Sequence, residues 1–206
     1  MLLRWVREIQ PSTTCSLPAV HQLLPLPPDF VGRNAEFARL RKQIEDGARL
    51  ISVRGMPGIG KSVFAQKLAL AVREMFPAGQ LRVDLRGNTR KPRSCTDALT
   101  YLIRSLAGGI AIPTTEEELL AVYRSLVHNK NFLIVLDNAA CEDQITPLIG
   151  PPGCLFLITS RTRFILAGLV AEDLLPLSID ESVALLLRLV PRVATNVAEL
   201  ASLCAG

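Results

Sequence analysis

A short glycine-rich segment has the residue types and the spacing of a phosphate-binding loop. Residues 55–62 read GMPGIGKS, which fits the pattern G-x-x-x-x-G-K-[ST], and they lie between an apolar run and a helical pattern. Glycines allow the backbone to wrap around an anion with its N–H groups pointing inward, because no Cβ obstructs the approach. The phosphates would then lie at the positive end of the following helix. The segment predicts binding of a nucleoside polyphosphate, with an ordinary glycine-rich turn as the less favoured alternative.

The side chains at the end of this segment carry the predicted chemistry. Lys61 places a positive charge at the β- and γ-phosphates, and the Ser62 hydroxyl is a ligand for Mg²⁺. The predicted nucleotide-binding residues of the segment are Gly55, Met56, Pro57, Gly58, Ile59, Gly60, Lys61, Ser62 and Val63.

A carboxylate follows a second apolar run farther along the chain. Residues 132–138 read FLIVLDN, a pattern typical of a buried strand that ends in Asp137. Ligands of open α/β sheets bind at the carboxyl ends of the strands, so Asp137 could hold Mg²⁺ opposite Ser62 and take part in catalysis with Lys61. The alternative is that Asp137 only caps the helix after the strand.

The elements that would position these residues alternate along the chain. Strands are predicted at 50–54, 81–85, 132–136, 154–159 and, as a short one, 174–177; helices are predicted at 34–46, 61–76, 94–107, 115–128, 141–149, 179–190 and 195–204. The runs LISV, FLIVL and CLFLI are apolar throughout or nearly so, as strands buried on both faces require. Ser94, Thr115 and Ser178 each precede a carboxylate by three residues, which is typical of a helix start. This alternation predicts an α/β fold, a three-layer αβα P-loop NTPase with a five-stranded parallel sheet.

The positions of the prolines predict where the domain begins, and the composition indicates the class of protein. Residues 1–28 contain five prolines, which predicts an arm or linker, and the nucleotide-binding domain is predicted at 29–190. Of the 206 residues, 49% are apolar and 20% are charged, and the net charge is +4, which is typical of a packed globular chain. The cysteines are odd in number without C-x-x-C spacing, and we recognise no export signal or membrane span, so a reducing cytoplasm is expected.

Further motifs give the chain a resemblance to a known family. From about residue 27 to its end the chain resembles the NB-ARC group of the STAND ATPases, most closely the bacterial regulators that carry this module between an effector domain and tetratricopeptide repeats. The motifs occur in the family's order and spacing: FVGRNAE (30–36), GMPGIGKS (55–62), VDLRG (83–87), FLIVLDN (132–138), ITSR (158–161) and LLPLSIDESVALL (174–186).

The resemblance implies roles for three further residues. Val31 and Arg33 match the positions that lie against the adenine side of the nucleotide, and Arg161 matches the arginine that reads the γ-phosphate, which adds it to the catalytic set. By resemblance the cofactors are ATP or ADP with Mg²⁺, and the partners are the effector and repeat domains of a longer parent chain. Without the family, Arg33 would be interpreted as a surface charge at a helix start, and Arg161 equally well as a solvated side chain.

The sequence departs from the family at two points. Asn138 stands where many such NTPases have a second carboxylate to activate water; an amide orients water but takes no proton, so tight nucleotide binding with slow hydrolysis is expected. Glu142 and Asp143 could substitute, although a polar cap on the short helix is favoured. The chain ends at LCAG where the family continues into its GLPL motif and further subdomains, so 191–206 are expected to begin a truncated helical subdomain. Nucleotide binding is then expected to be weaker than in the intact module, and the closed state is expected to be lost.

The resemblance implies a nucleotide-dependent regulatory switch, in which ATP or ADP selects between conformations. Two alternatives to this function remain. A small-molecule kinase could use the same loop, but the sequence has no Arg-rich lid and no room for a second substrate domain. Direct nucleic-acid contact is suggested by basic residues around the second predicted strand, for which a solvated loop is favoured because aromatic residues do not alternate with them. These residues are Arg82, Arg86, Arg90, Lys91 and Arg93. The signal, the output and the oligomeric state, including nucleotide-dependent assembly, stay open.

Overall fold

Parallel strands form one sheet in the computed structural model, which describes residues 20–189. In chain order the strands are β1 (Val20–His21), β2 (Leu50–Arg54), β3 (Gly79–Asp84), β4 (Phe132–Ala139), β5 (Leu155–Ser160) and β6 (Leu169–Asp173). Their order across the sheet is β1-β3-β4-β5-β2-β6, and every neighbouring pair is parallel. The α/β class with a parallel sheet is therefore confirmed.

Helices connect the strands. They are α1 (Asn34–Glu45), α2 (Lys61–Val72), α3 (Cys95–Leu106), α4 (Glu116–Val127), α5 (Glu142–Ile145) and α6 (Ile179–Leu189), with 3-10 turns at Arg73–Met75 and Thr146–Leu148. The Ser94 and Thr115 hydroxyls accept hydrogen bonds from backbone N–H groups of the first helical turn, as predicted. Within residues 20–189 no helix is both long and apolar enough to cross a membrane. The helix predicted at 195–204 lies outside the described residues.

The helices cover both faces of the sheet. Strand side chains alternate between the faces, so that Leu81 and Ile134 belong to the core under α3 and α4, whereas Ile51 and Leu133 belong to the core under α1 and α2. The central strands β2, β4 and β5 are buried along almost their whole length. This arrangement confirms the predicted three layers.

The sheet has six strands rather than the predicted five. The additional strand is Val20–His21, which pairs with Gly79 and Gln80 of β3 at one edge although it lies in the segment predicted as an arm. Two residues of pairing leave no periodic signal in a sequence, because the alternation of a strand needs at least four residues to be recognised.

The last strand was predicted at the wrong residues. It is β6 at Leu169–Asp173, not 174–177. The prediction followed the apolar letters LLPL, but Pro176 has no N–H to donate to a strand ladder. β6 ends in charged residues because it is an edge strand, where the side chains of Glu172 and Asp173 can reach basic partners at the surface.

Candidate nucleotide-binding site

The glycine-rich segment forms a tight loop between β2 and α2. Gly55, Gly58 and Gly60 have φ values of 147°, 78° and 94°, which L side chains rarely adopt. At Gly55 a Cβ would also lie 2.7 Å from the carbonyl oxygen of Leu174. The loop thus requires its glycines, and Met56 and Pro57 lie exposed at its crest.

Lys61 begins α2 and folds back over the loop. Its ammonium donates hydrogen bonds to the carbonyl oxygens of Gly55 at 2.9 Å and Met56 at 2.8 Å, and the side chain is buried. Burial lowers the pKa of Lys61, and the positive charge of Arg161 lowers it further, while Asp137 acts in the opposite direction. The cation is held inside the loop where phosphates would lie.

Asp137 is the hub of the polar contacts at the strand ends. Its Oδ1 accepts hydrogen bonds from the hydroxyls of Ser62 at 2.7 Å and Thr159 at 2.5 Å. Its Oδ2 accepts from Arg82 at 2.6 Å, and only 2% of the residue is exposed. A hydroxyl and a carboxylate oxygen side by side are hard ligands of the kind that Mg²⁺ prefers, so these residues fit the predicted metal.

A cavity of about 140 Å³ lies beside these groups and brings together predicted residues from three elements. Lys61 from α2, Asn138 from β4 and Arg161 from the end of β5 all line it. Arg161 is exposed, in keeping with a side chain that would meet a ligand rather than the core. The strand order explains this convergence, because β5 lies between β2 and β4 and their carboxyl ends are neighbours.

A second, more apolar cavity lies on the other side of the loop. Its volume is about 230 Å³, and it is lined by Val31, Arg33, Gly58, Ile59, Gly60, Val63, Leu177 and Leu185 among others. Residues that the resemblance assigned to the adenine side therefore lie together with Val63 in the first turn of α2. Gly58 and Gly60 border this cavity while Lys61 borders the first one.

Arg33 is buried, so its interpretation from sequence alone as a surface charge is wrong. Its guanidinium donates to the carbonyl oxygen of Ile59 at 3.0 Å and lies 3.8 Å from Glu36. Burial lowers the pKa of Arg33, against the opposing effect of Glu36 and Glu181. The side chain thus supports the phosphate loop from the side of the second cavity.

Glu181 is a residue of this site that the sequence did not reveal. Its Oε1 accepts a hydrogen bond from the Arg33 backbone N–H at 2.8 Å, and its Oε2 accepts one from the Ser178 backbone at 3.0 Å. These two bonds, Arg33 first, lower the pKa of Glu181. Gly32 has a φ of 73°, and a Cβ there would overlap the Glu181 carboxylate, so a side chain at this position would be strained and would displace Glu181. The sequence marked Glu181 as half of a capping pair, but its second partner is 148 residues away.

The structure places the remaining sequence-predicted residues in other contacts. Glu142 Oε1 accepts from the Ile165 backbone N–H at 2.6 Å, so it fixes the loop after β5. Among the basic residues around β3, Arg82 pairs with Asp137 and Arg93 stacks on Tyr101, whereas Arg86, Arg90 and Lys91 are exposed. Thr159 lies in the ITSR motif and Arg82 directly precedes VDLRG, but neither pattern indicated a contact with Asp137.

Comparisons with curated proteins support a regulatory class. No known family profile matches the chain. The regulatory protein AfsR of Streptomyces griseus is 39% identical over 170 residues, which cover 79% of this chain and 18% of AfsR. A disease resistance protein of Arabidopsis thaliana is 31% identical over 107 residues, or 50% of this chain and 9% of that protein. The chain spans less than one fifth of the length of either relative.

A solved structure supports the fold. The crystal structure of a STAND protein with a tetratricopeptide repeat sensor, from Pyrococcus horikoshii, matches with a TM-score of 0.57 at 18% identity. The match covers 92% of this chain and 30% of that one. At this identity the likeness concerns the fold alone.

Proposed function

Because the chain is an NB-ARC-like domain of the STAND class of P-loop NTPases, we propose that it binds ATP or ADP with Mg²⁺ and acts as the nucleotide-dependent switch of a longer regulatory protein. The observation that carries this proposal is the pair of cavities on either side of the phosphate loop. The polar one contains Lys61 and Arg161, and the more apolar one contains Val31 and Arg33. One nucleotide laid across Gly60 would place its phosphates in the first and its base in the second.

Ser62 and Asp137 would hold the metal, which neutralises charge on the polyphosphate when bound. Lys61 would add a second positive charge from its position inside the loop, where it contacts the Gly55 and Met56 carbonyl oxygens. Asn138 offers an amide beside this cavity, and an amide takes no proton from water at neutral pH, so we propose that hydrolysis is slow. Slow hydrolysis suits a switch, because the bound state then persists long enough to be read by attached domains.

The parent architecture belongs to the same proposal. AfsR is described as a regulatory protein, and the archaeal neighbour carries a tetratricopeptide repeat sensor. We infer that this domain likewise works between an effector and a repeat domain, in the cytoplasm, and that direct nucleic-acid contact is not its task.

Calorimetry with ATP or ADP, each in the presence of Mg²⁺, tests the nucleotide proposal. We expect saturable binding by the unaltered chain and a loss of affinity of about 100-fold for Lys61→Ala, since charge-assisted contacts to phosphate are removed. Lys42→Ala is the matched control, because Lys42 is an exposed lysine of α1 remote from both cavities' lining. Equal affinities for Lys61→Ala and Lys42→Ala would falsify the proposal.

A further inference from the structure

A carboxylate that the proposed function does not use lies at the end of β3. Asp84 is the register partner of Asp137 on the neighbouring strand β4, and it is half-buried. Leu81 and Val83 face the core under α3 and α4, so alternation places Asp84 on the opposite face of β3, the face of the sheet that α1 and α2 cover. The phosphate loop leads into α2. Asp84 therefore ends its strand on the side of the sheet that carries the phosphate loop.

The side chain of Asn138 is held by this carboxylate. Asn138 Nδ2 donates a hydrogen bond to Asp84 Oδ1 at 3.2 Å. An ionised carboxylate only accepts hydrogen bonds, so Asn138 must present its NH₂ group to Asp84 and turn its Oδ1 away. That oxygen accepts no hydrogen bond from any of residues 20–189, and Asn138 lines the cavity that contains Lys61 and Arg161. The fixed amide thus leaves one acceptor without a partner among residues 20–189, on a residue that lines this cavity.

The backbone around this pair is locked as well. Asn138 has a φ of 57°, and its N–H donates to the Thr159 hydroxyl at 2.9 Å. On the other side, the Gly87 N–H donates to the Asn138 carbonyl at 2.6 Å, and the Arg86 N–H donates to Asp84 Oδ1 at 2.9 Å. A Cβ at Gly87 would overlap the Asn138 carbonyl oxygen, so this close approach requires glycine. The last residue of β3 therefore fixes the side chain of Asn138, and the turn after β3 fixes its backbone.

We propose that Asp84 is a positioning residue for ATP hydrolysis: it orients the Asn138 amide so that Oδ1 accepts a hydrogen bond from the attacking water. This inference rests on the nucleotide-binding function proposed above. The water oxygen bonds to the γ-phosphorus as the bond to the β–γ bridging oxygen breaks, and ADP leaves with that electron pair. The water proton passes to a phosphoryl oxygen of the product, because an amide does not accept it. The arrangement supplies orientation without a base, so hydrolysis that is slow but measurable is the expected outcome.

Two substitutions at Asp84 separate orientation from charge. Asp84→Ala removes the acceptor that holds Asn138, whereas Asp84→Asn keeps an oxygen in its place. In single-turnover phosphate release from ATP with Mg²⁺, we expect Asp84→Ala to be slower by about 10-fold to 100-fold, the cost of a misplaced group. Asp84→Asn should keep the rate within about threefold, and both variants should bind ATP within about twofold of the unaltered chain. Asp46→Ala, an exposed carboxylate at the end of α1, is the control.

Several results would overturn the inference. They are an unchanged rate for Asp84→Ala, an Asp84→Asn rate as low as that of Asp84→Ala, or a loss of ATP binding that matches the loss of rate. Binding without measurable hydrolysis by the unaltered chain would also overturn it, while leaving the proposed nucleotide switch intact. Absence of binding by the unaltered chain would remove the proposed function itself, so the two failures are distinguished by the calorimetric isotherm. If Asp84→Ala does not fold, as judged by circular dichroism, Asp84→Asn decides alone: a rate loss above 10-fold refutes orientation.

Discussion

The two halves of the candidate site are held together in different ways. In the phosphate half, the loop at 55–62 joins the consecutive elements β2 and α2, and Asp137 accepts hydrogen bonds from Ser62 in the first turn of α2 and from Thr159 near the end of β5. In the nucleoside half, residues 30–33, the loop carbonyl of Ile59 and helix α6 come from distant parts of the chain. The phosphate half is built from the carboxyl ends of the central strands. The nucleoside half is formed by segments that pack against the phosphate loop.

This difference assigns the halves different mechanical roles. The phosphate half rests on strands whose side chains are buried on both faces, so it can move only with the core. The nucleoside half depends on a carboxylate of α6, a helix in which no residue is fully buried. Displacing α6 would open the nucleoside cavity and leave the phosphate cavity formed, which is the asymmetry that a switch needs.

The largest expected effect comes from breaking the phosphate half at Gly55. In Gly55→Ala a Cβ would be forced into a strained backbone conformation and against the carbonyl oxygen of Leu174. We expect a loss of stability of about 1–3 kcal/mol and a loss of ADP and pyrophosphate binding together. Chemical denaturation and calorimetry measure these effects. Gly108→Ala is the control, because nothing lies within 4 Å of a Cβ there; equal behaviour of the two variants would contradict the role assigned to the loop.

The same division explains how much the sequence could predict. Strands β2, β4 and β5 and the loop were predicted because the signals are local: an apolar run, a glycine pattern and a helix start. The burial of Arg33 was not predicted, because a single arginine before a helix has no periodicity that distinguishes a core position from a surface position. The resemblance supplied Arg33 and Arg161 as site residues, and their roles in binding stay predictions.

Long-range polar contacts mark the limit of sequence analysis. The Arg33–Glu181 bond joins residues 148 apart, and the Arg82–Asp137 pair joins residues 55 apart. Hydrogen-bond donors and acceptors in a sequence do not reveal their partners, because many pairings satisfy the same composition. The structure selects among them through strand order, which brings β3 beside β4.

The second prediction concerns a substitution that weakens only the nucleoside half. Glu181→Ala removes the acceptor that fixes the Arg33 backbone, and at this partly exposed site such a bond is worth ~1 kcal/mol. We expect the affinity for ADP to fall roughly fivefold and the affinity for pyrophosphate to stay unchanged. Competition against a fluorescent ADP analogue measures both. Glu117→Ala, which removes an exposed carboxylate of α4, should leave both affinities alone; a parallel loss of pyrophosphate affinity in Glu181→Ala would mean that the halves are not independent.

The third prediction concerns the metal site in the phosphate half. Arg82 occupies Oδ2 of Asp137, so it competes with a metal ion for the same carboxylate. In Arg82→Gln we expect the Mg²⁺ concentration for half-maximal ADP binding to fall by about twofold to threefold, while stability decreases because buried Asp137 loses its partner. A Mg²⁺ titration at fixed ADP measures this shift. Arg90→Gln is the control at an exposed arginine, and a half-maximal Mg²⁺ concentration that rises in Arg82→Gln would show that Arg82 assists the metal instead.

The smallest expected effect is a dependence of thermal stability on pH that comes from Glu181 in the nucleoside half. Backbone N–H groups of Arg33 and Ser178 hold the pKa of Glu181 below its usual value of 4.5, so the folded state favours the ionised carboxylate. The stabilisation is therefore complete above that usual value and is lost as the pH falls through the lowered pKa of the folded protein. Other carboxylates titrate in the same range, so the informative quantity is the difference between the unaltered chain and Glu181→Gln. We expect the thermal unfolding temperatures of the two to converge as the pH is lowered from 6 to about 3. A gap that stays constant over this range would mean that the Glu181 charge contributes nothing to the docking of α6.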